Sequence, residues 1–255
     1  MANSNGYILF EGPSRLDGAP IVVIATGLKN KSSNRKTGAM VQTYILRTDV
    51  SPVEAIKAGL DSSICGDCPH RGDGTGKART CYVNVGQGAQ AVWKAYKRGR
   101  YPVAEWSDFE GRAIRFGTYG DPMAAPLGVW DMLSTIGGMH TGYTHQWRTL
   151  RDADEFTRAL WAQVVMASAD TLADAQEAQE LGFRTFRVAQ DAEKASGEVL
   201  CPASEEAGRK LLCETCGACN GRKSARKGSI MIPLHGSSAV KANAPKLAAR
   251  LIARG

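Results

Sequence analysis

Seven cysteines carry the clearest chemical signal in this sequence of 255 residues. An odd number of cysteines argues against a disulfide framework and for metal or redox chemistry. The first group has the spacing C-x2-C-x12-C and consists of Cys65, Cys68 and Cys81. The second group has the spacing C-x11-C-x2-C-x2-C and consists of Cys201, Cys213, Cys216 and Cys219. The sequence therefore predicts two metal sites, which we call the first and the second thiol group.

The second thiol group offers four thiolates, the number that tetrahedral zinc or a [4Fe–4S] cluster requires. A run of C-x2-C-x2-C that is closed by a distant cysteine is typical of iron–sulfur ligation. We therefore expect iron–sulfur rather than zinc in a metal-binding segment spanning residues 201–228. Its role is either redox chemistry or the structural stapling of a loop.

The first thiol group offers only three thiolates. Three protein ligands leave one coordination position open, as in metal sites that carry out chemistry. His70, in the stretch CGDCPHR, could instead supply a fourth ligand and close a structural zinc site. An open cluster and a closed zinc site are both consistent with these residues.

A basic run follows the second thiol group directly and consists of Arg222, Lys223, Arg226 and Lys227. Further basic clusters lie within residues 29–36 and 94–100, and the formal net charge is +7. One such cluster is explained by a solvated surface, but three clusters favour a polyanionic partner. The sequence thus predicts that the basic run contacts nucleic acid or a protein bound to nucleic acid.

The composition, with 43% hydrophobic and 22% charged residues, is that of a globular protein. The longest apolar runs are too short to span a bilayer, and the first residues lack the features of a secretory signal. We therefore expect one domain over residues 1–255, located in the cytosol and without a membrane partner. The sequence does not indicate an oligomeric state.

Segments typical of strands and helices alternate along the chain. Three strand patterns come first, and a helix then begins with Ser51 as N-cap, Pro52 in its first turn and Glu54 completing a capping box. Five or six βα units follow, which predicts parallel strands with crossover helices. The predicted fold is α/β and TIM-barrel-like, a closed or partial βα barrel with a cysteine-rich excursion near the C-terminus. A doubly wound open sheet is the alternative.

Polar side chains follow most of the predicted strands, where the active sites of such folds collect. They are Tyr119, Asp121, Tyr143, Thr144, His145, Ser168, Asp170, Asp191, Cys201 and His235. Asp121, Tyr143 and His145 are the catalytic candidates, and His145 suits general acid–base chemistry because its unperturbed pKa lies near neutrality. Asp121 also suits a turn, and Asp170 a helix cap. We expect the first thiol group to lie beside these residues.

The stretches CGDCPHR, CYVNVGQG, RFGTYGDP, GYTHQW and CPASEEAG with CETCGACNG together resemble a family of cysteine-rich, phage-encoded proteins of about this length. The resemblance covers nearly the whole chain, and that family is distantly similar to radical-SAM-type barrels. Such barrels also end a cysteine set with Cys-Tyr, here Cys81-Tyr82, although their usual spacing is C-x3-C-x2-C. The resemblance implies a [4Fe–4S] cluster on the first thiol group, with S-adenosylmethionine as a further cofactor.

Two classes of function follow from these features. The first is a radical-SAM-like enzyme that modifies a nucleobase or DNA, in which the second thiol group passes electrons or holds substrate. The second is a non-catalytic, metal-stapled factor that binds DNA, a phage recombinase or a replication protein. A recombination directionality factor of a serine integrase is an example of the second class. Either would work in the cytosol of the host cell.

Overall fold

The computed structural model describes residues 3–31, 36–189, 194–208, 211–223, 228–234 and 238–253. Within these ranges the strands are β1 (Gly6–Pro13), β2 (Pro20–Thr26), β3 (Val41–Arg47), β4 (Ala113–Tyr119), β5 (Met139–Thr141), β6 (Tyr143–Thr144), β7 (Met166–Ala169), β8 (Thr185–Ala189), β9 (Glu198–Leu200) and β10 (Ser229–Pro233). The α-helices are α1 (Pro52–Lys57), α2 (Ser62–Cys65), α3 (Gly88–Lys97), α4 (Leu127–Ile136), α5 (Glu155–Val164), α6 (Leu172–Glu180), α7 (Cys213–Cys216), α8 (Ser238–Ala242) and α9 (Ala244–Ile252). Short 3-10 helices lie at Pro69–Arg71, Trp106–Phe109, Pro122–Ala124, Gln146–Leu150 and Glu205–Ala207.

The strands form two five-stranded sheets, so the fold is mixed α/β as the alternating pattern predicts. The first sheet has the order β1-β2-β3-β4-β5, with antiparallel pairs up to β3 and parallel pairs from β3 to β5. The second sheet has the order β6-β7-β8-β10-β9, and all of its pairs are parallel. Within the described ranges the edge strands are β1 and β5 in the first sheet and β6 and β9 in the second, and no strand pair closes a barrel.

The two sheets meet at Gly142, the single residue between β5 and β6. Its N–H donates to the Cys219 carbonyl at 3.1 Å, and its carbonyl accepts from the Met166 N–H at 2.9 Å. A Cβ atom at this position would lie 3.0 Å from the Val165 side chain and 3.2 Å from Phe116, so glycine allows this close approach. The parallel strands β3, β4, β5, β6, β7, β8 and β10 thus follow one another across both sheets.

Local sequence signals set most of the element boundaries. The Ser51 hydroxyl accepts from the Glu54 N–H at the start of α1, and the Thr171 hydroxyl accepts from the Asp174 N–H at the start of α6, as both patterns predict. The stretch SEEAGRKLL also resembles a helix in sequence. The structure instead forms a single 3-10 turn there, because Gly208 takes a left-handed conformation with φ +62° and ends it.

The core that supports the cavities is rich in large side chains. Trp130, Trp147 and Trp161 are fully buried, and strand β2, between β1 and β3, buries Ile21 through Ala25. The indole N–H of Trp147 donates to the Ser168 carbonyl on β7 at 2.9 Å. This bond ties the short helix after β6 to the next parallel strand, so the ends of these strands are fixed relative to each other.

Candidate metal centres

The first thiol group lines one cavity of about 160 Å³, which we call the first cavity. The same cavity is lined by the three catalytic candidates, Asp121, Tyr143 and His145. Its other strand-end residues include Tyr119 at the end of β4, Ser168 in β7 and Leu234 after β10. The structure thus brings the first thiol group and the catalytic candidates together at the carboxyl ends of the parallel strands.

The loop that carries the first thiol group is tied together from within. The carboxylate of Asp61, which is buried, accepts from Arg71 at 2.7 Å and from Arg79 at 3.1 Å. Arg71 also donates to the Gly66 carbonyl at 2.8 Å. Because these contacts join the two arms of the loop, the chain between Cys65 and Cys81 is shaped by its own side chains.

The terminal helices hold the same loop from outside. Arg250 on α9 donates to the Pro69 carbonyl and to the Ala78 carbonyl, each at 3.1 Å, and Asn243 donates to the Arg79 carbonyl at 3.1 Å. Among the described residues, Ala78 is the only non-glycine residue with a positive φ, +54°. This conformation costs about 1–2 kcal/mol for an L-residue. We call the paired contacts of Arg250 the Arg250 clasp.

The spacing of the sulfur atoms bears on what the thiol groups could hold. Around one zinc ion with Zn–S bonds of about 2.3 Å, sulfur atoms lie about 3.8 Å apart. Among the described residues, one group of His, Cys, Asp or Glu side chains has three possible ligand atoms that all lie within 4.8 Å of one another. This group contains no cysteine. The sulfur atoms of each thiol group therefore lie farther apart than a single zinc ion requires. Around a four-iron cluster, the cluster itself separates the thiolates.

All seven cysteines are free thiols. Burial raises the pKa of Cys65 well above its usual value, and the neighbouring charges of Cys68 and Asp61 raise it further. Burial likewise raises the pKa of Cys81 and raises that of Cys219 to about 12. These thiols would therefore be protonated without a metal, and metal binding would release their protons.

Two histidines and an aspartate meet at the wall of the first cavity. His70 Nε2 lies 2.8 Å from Asp170 Oδ1, and His70 Nδ1 lies 2.8 Å from the hydroxyl of Thr80. His145 Nε2 lies 3.2 Å from Asp170 Oδ2, with the two imidazole centroids 5.5 Å apart. Both ring nitrogens of His70 thus have polar neighbours other than the thiols, so the arrangement does not favour His70 as the fourth ligand of a zinc site with Cys65, Cys68 and Cys81.

Asp121 fixes the turn that carries His145. Its Oδ1 accepts from the Met123 N–H at 3.0 Å, and its Oδ2 accepts from the His145 N–H at 2.8 Å. Burial raises the pKa of Asp121, while these donors and the Thr144 hydroxyl oppose the change. The structure shows the turn-forming role that the sequence also allows, and the carboxylate of Asp121 acts on the cavity through the position of His145.

The second thiol group lines a second cavity of about 210 Å³. Its cysteines are anchored by main-chain bonds to distant parts of the chain. The Cys201 N–H donates to Met231 on β10 at 2.8 Å, and the Cys213 N–H donates to Lys36 at 2.9 Å. The backbone of this group is therefore set by the sheet and by the segment after residue 35.

Two further side chains pin the excursion that carries the second thiol group. Arg184, at the start of β8, donates to the Ala218 carbonyl at 2.8 Å and to the Gly228 carbonyl at 2.5 Å. His140 on β5 stacks on Phe116 with ring centroids 4.7 Å apart, and its Nε2 lies 2.9 Å from the Asn220 carbonyl. Both arms of the excursion are thus held against the sheet.

The two cavities share a wall. Tyr82, Arg115, Tyr143 and Phe186 line both of them. Tyr143 packs on Phe186 with ring centroids 4.7 Å apart, and its hydroxyl bonds to the Cys219 thiol, which lowers the pKa of that thiol against the larger effect of burial. Tyr143 therefore contacts the second thiol group from the wall of the first cavity.

The described part of the basic run, Arg222 and Lys223, lines neither cavity. Arg222 and Lys223 line a surface groove with residues of α5 such as Glu155 and Arg158, and Arg222 donates to the Ser134 carbonyl at 3.1 Å. Arg226 and Lys227 fall outside the described residues, as do Asp191 and His235 from the strand-end set. The structure thus places two of the four predicted contact residues, and nucleic-acid binding stays a prediction.

Sequence reasoning missed the pairing of Asp170 with both histidines. The signal was present, because Thr171 already caps α6 and leaves the carboxylate of Asp170 available for another role. Asp61 and the Arg250 clasp had no comparable signal, since an exposed arginine on a terminal helix has the same local pattern as one that holds a loop.

No protein-family model, curated protein or solved structure matches this chain. Within the described ranges, no helix combines the length and apolar character needed to cross a membrane. The arrangement of the two cavities is therefore the feature of the molecule that indicates a function.

Proposed function

We propose that this protein is a metal-cluster enzyme that acts on nucleic acid or a nucleobase, with a [4Fe–4S] cluster held by Cys65, Cys68 and Cys81. The observation that carries the proposal is the shared cavity, in which these three thiols lie with His145 and Tyr143. Three thiolates leave one iron with an open position. When bound, such a cluster supplies a one-electron centre at that position.

Unused polar groups in the first cavity support an enzyme over a metal staple. Among the described residues, the Tyr119 hydroxyl and the Arg115 Nε are buried and have no hydrogen-bond partner. Leaving such groups unpaired costs about 1–3 kcal/mol each. Because both side chains line the cavity, a bound substrate or cofactor with acceptor atoms would satisfy them.

The strand order supports a partial βα barrel as the scaffold of this enzyme. Parallel strands from β3 to β10 follow one another through the two sheets, and the first cavity lies at their carboxyl ends. Active sites of βα barrels lie at this end. Together with the resemblance to radical-SAM-type barrels, this makes S-adenosylmethionine the cofactor to test first at the open iron.

In this proposal the second thiol group holds a closed, four-thiolate centre. Its cavity adjoins the first through the wall formed by Tyr82, Arg115, Tyr143 and Phe186. A closed centre at this position suits electron supply to the first site or the stiffening of the excursion.

Purification without oxygen tests the proposal. The expected protein is brown and contains iron and acid-labile sulfide, and a Cys65→Ser, Cys68→Ser, Cys81→Ser variant should lose roughly four irons per chain. S-Adenosylmethionine added to the reduced wild type should then change the electron paramagnetic resonance spectrum of the first cluster. A colourless protein with about two zinc ions would overturn the cluster assignment.

The alternative function is a non-catalytic factor that binds DNA or a DNA-bound recombinase. The observation that favours it is the pinned excursion, because Arg184 contacts the carbonyls of Ala218 and Gly228 on either side of the basic run. A rigid loop makes phosphate contacts at a lower entropic cost than a loose one. A zinc-loaded protein that binds DNA or a serine integrase and shows no reaction with S-adenosylmethionine would support this alternative.

A further inference from the structure

The side chains of His70, His145 and Asp170 are spaced like the ligands of one metal ion. The two nitrogen–oxygen distances are 2.8 Å and 3.2 Å, and the three ligand atoms all lie within 4.8 Å of one another. Ligands bound at about 2.1 Å to a single ion stand about 3.0–3.4 Å apart. The distance between His145 and Asp170 already lies in this range, and the hydrogen-bonded pair of His70 and Asp170 at 2.8 Å would have to open slightly. The site is also protected, since the side chain of Asp170 is only 4% exposed.

The imidazole of His145 has an unsatisfied nitrogen at this place. Its Nε2 is buried and, among the described residues, makes no hydrogen bond, although Asp170 Oδ2 is 3.2 Å away. The nitrogen is therefore close to the carboxylate without the geometry of a bond to it. A metal ion between the side chains would take the place of a proton on this nitrogen and satisfy it.

His70 has the outer partner that metal-binding histidines usually have. Its Nδ1 lies 2.8 Å from the Thr80 hydroxyl, while its Nε2 faces Asp170. When Nδ1–H donates to that hydroxyl, the ring is fixed and the Nε2 lone pair is left for the metal, which would replace the hydrogen bond between Nε2 and Asp170. Thr80 is fully buried and precedes Cys81, so the loop of the first thiol group also orients this histidine.

We propose that His70, His145 and Asp170 bind a single divalent transition-metal ion in the first cavity, beside the centre held by the first thiol group. Two imidazoles and one carboxylate suit zinc, manganese or iron(II), and sets of this composition with open positions are typical of non-haem iron(II). His145 is then a metal ligand rather than a general acid or base. The proposal goes beyond the proposed function, because it requires no thiolate.

Cobalt(II) is the probe that separates this site from the thiols. Thiolate-bound cobalt absorbs strongly in the near ultraviolet, whereas cobalt held by nitrogen and oxygen shows only weak visible bands. The full-length Cys65→Ser, Cys68→Ser, Cys81→Ser variant is titrated with cobalt. We expect binding at this site without a first-site thiolate band, and a loss of affinity of at least tenfold when Asp170→Asn or His145→Gln is added.

The control is Asp131→Asn, which changes an exposed carboxylate on α4 outside both cavities. This variant should bind cobalt as its parent does. The Asp170→Asn and His145→Gln changes are also made in the wild type, so that poor folding of the serine variant leaves the test intact. If cobalt binding without thiolates is undiminished by these changes in both the serine variant and the wild type, the proposal is overturned. The iron and sulfide content of the wild type reports separately on the cluster.

Discussion

The two thiol groups are positioned by different means. The loop of the first group is shaped by side chains, namely Asp61 within it and Arg250 from the terminal helix. The second group is anchored mainly by its own backbone, through bonds of Cys201, Cys213 and Cys219 to other segments. A site that depends on side-chain contacts can adjust its shape, whereas a site built into main-chain bonds of a sheet is rigid.

The residues that surround the two thiol groups also differ. The first cavity contains His70, His145 and Asp121 among its lining residues, whereas the second cavity is lined by no histidine or carboxylate from the described part of the chain. Among the described residues, histidine and carboxylate side chains therefore line only the first of these two cavities. In the proposed function this difference places the reaction in the first cavity and leaves electron supply or stiffening of the excursion to the second thiol group.

The largest expected effect follows from breaking the second thiol group. Cys213→Ser and Cys216→Ser should each remove its metal and destabilise the fold by several kcal/mol, because the binding energy of a structural metal is coupled to folding. Metal analysis and thermal melts of the single variants measure both effects. Unchanged metal content and melting temperature would show that these thiols hold no metal.

The matched change in the first thiol group should destabilise the fold less. Cys68→Ser should abolish metal binding at the first site and the proposed activity, yet lower the melting temperature less than Cys213→Ser does. The reason is that Asp61, Arg71 and Arg79 shape this loop without a metal. Melts of both variants, recorded under the same anaerobic conditions, compare them directly, and equal losses of stability would contradict the division of roles.

Removing the Arg250 clasp should have an intermediate effect. Arg250→Ala leaves the carbonyls of Pro69 and Ala78 without their donor and should cost about 1–3 kcal/mol, with faster loss of metal from the first site only. Lys246→Ala, an exposed change on the same helix, is the control. Chelator-driven release of metal, followed over time, measures the difference.

A second substitution sharpens this test. Ala78→Gly relieves the left-handed strain at φ +54° and should restore part of the metal retention of Arg250→Ala, because the clasp then has less strain to balance. A double variant that loses metal as fast as Arg250→Ala would show that the clasp acts in another way.

The smallest effect on stability is expected from the basic run. Replacing Arg222, Lys223, Arg226 and Lys227 by alanine should leave both metals bound but flatten the salt dependence of DNA binding by roughly two to four units in log–log slope. Replacing four exposed lysines outside the basic clusters, Lys57, Lys194, Lys241 and Lys246, controls for the same change in net charge. Superimposed titrations of variant and wild type at several salt concentrations would exclude the basic run as a contact surface.

Local pattern predicted the α/β class, most of the elements and the meeting of the first thiol group with Asp121 and His145, because the ends of parallel strands lie at one edge. It did not predict the pairing of His70 with Asp170, which are 100 residues apart. It also missed the division of one strand pattern into β5 and β6, since the bend at Gly142 depends on packing against Val165 and Phe116. Contacts of this kind are set by tertiary structure and leave no periodic signal.

The Arg250 clasp has a consequence for the order of events on the ribosome. It joins residues 181 positions apart, so the loop around Cys68 receives these contacts only after α9 has been synthesised. Strand β10, which anchors Cys201, ends at Pro233 and emerges earlier. Since chains fold from the N-terminal side as they emerge, the second thiol group can be assembled before the first. In the proposed function, the loop of the first cluster would thus be completed after the second thiol group.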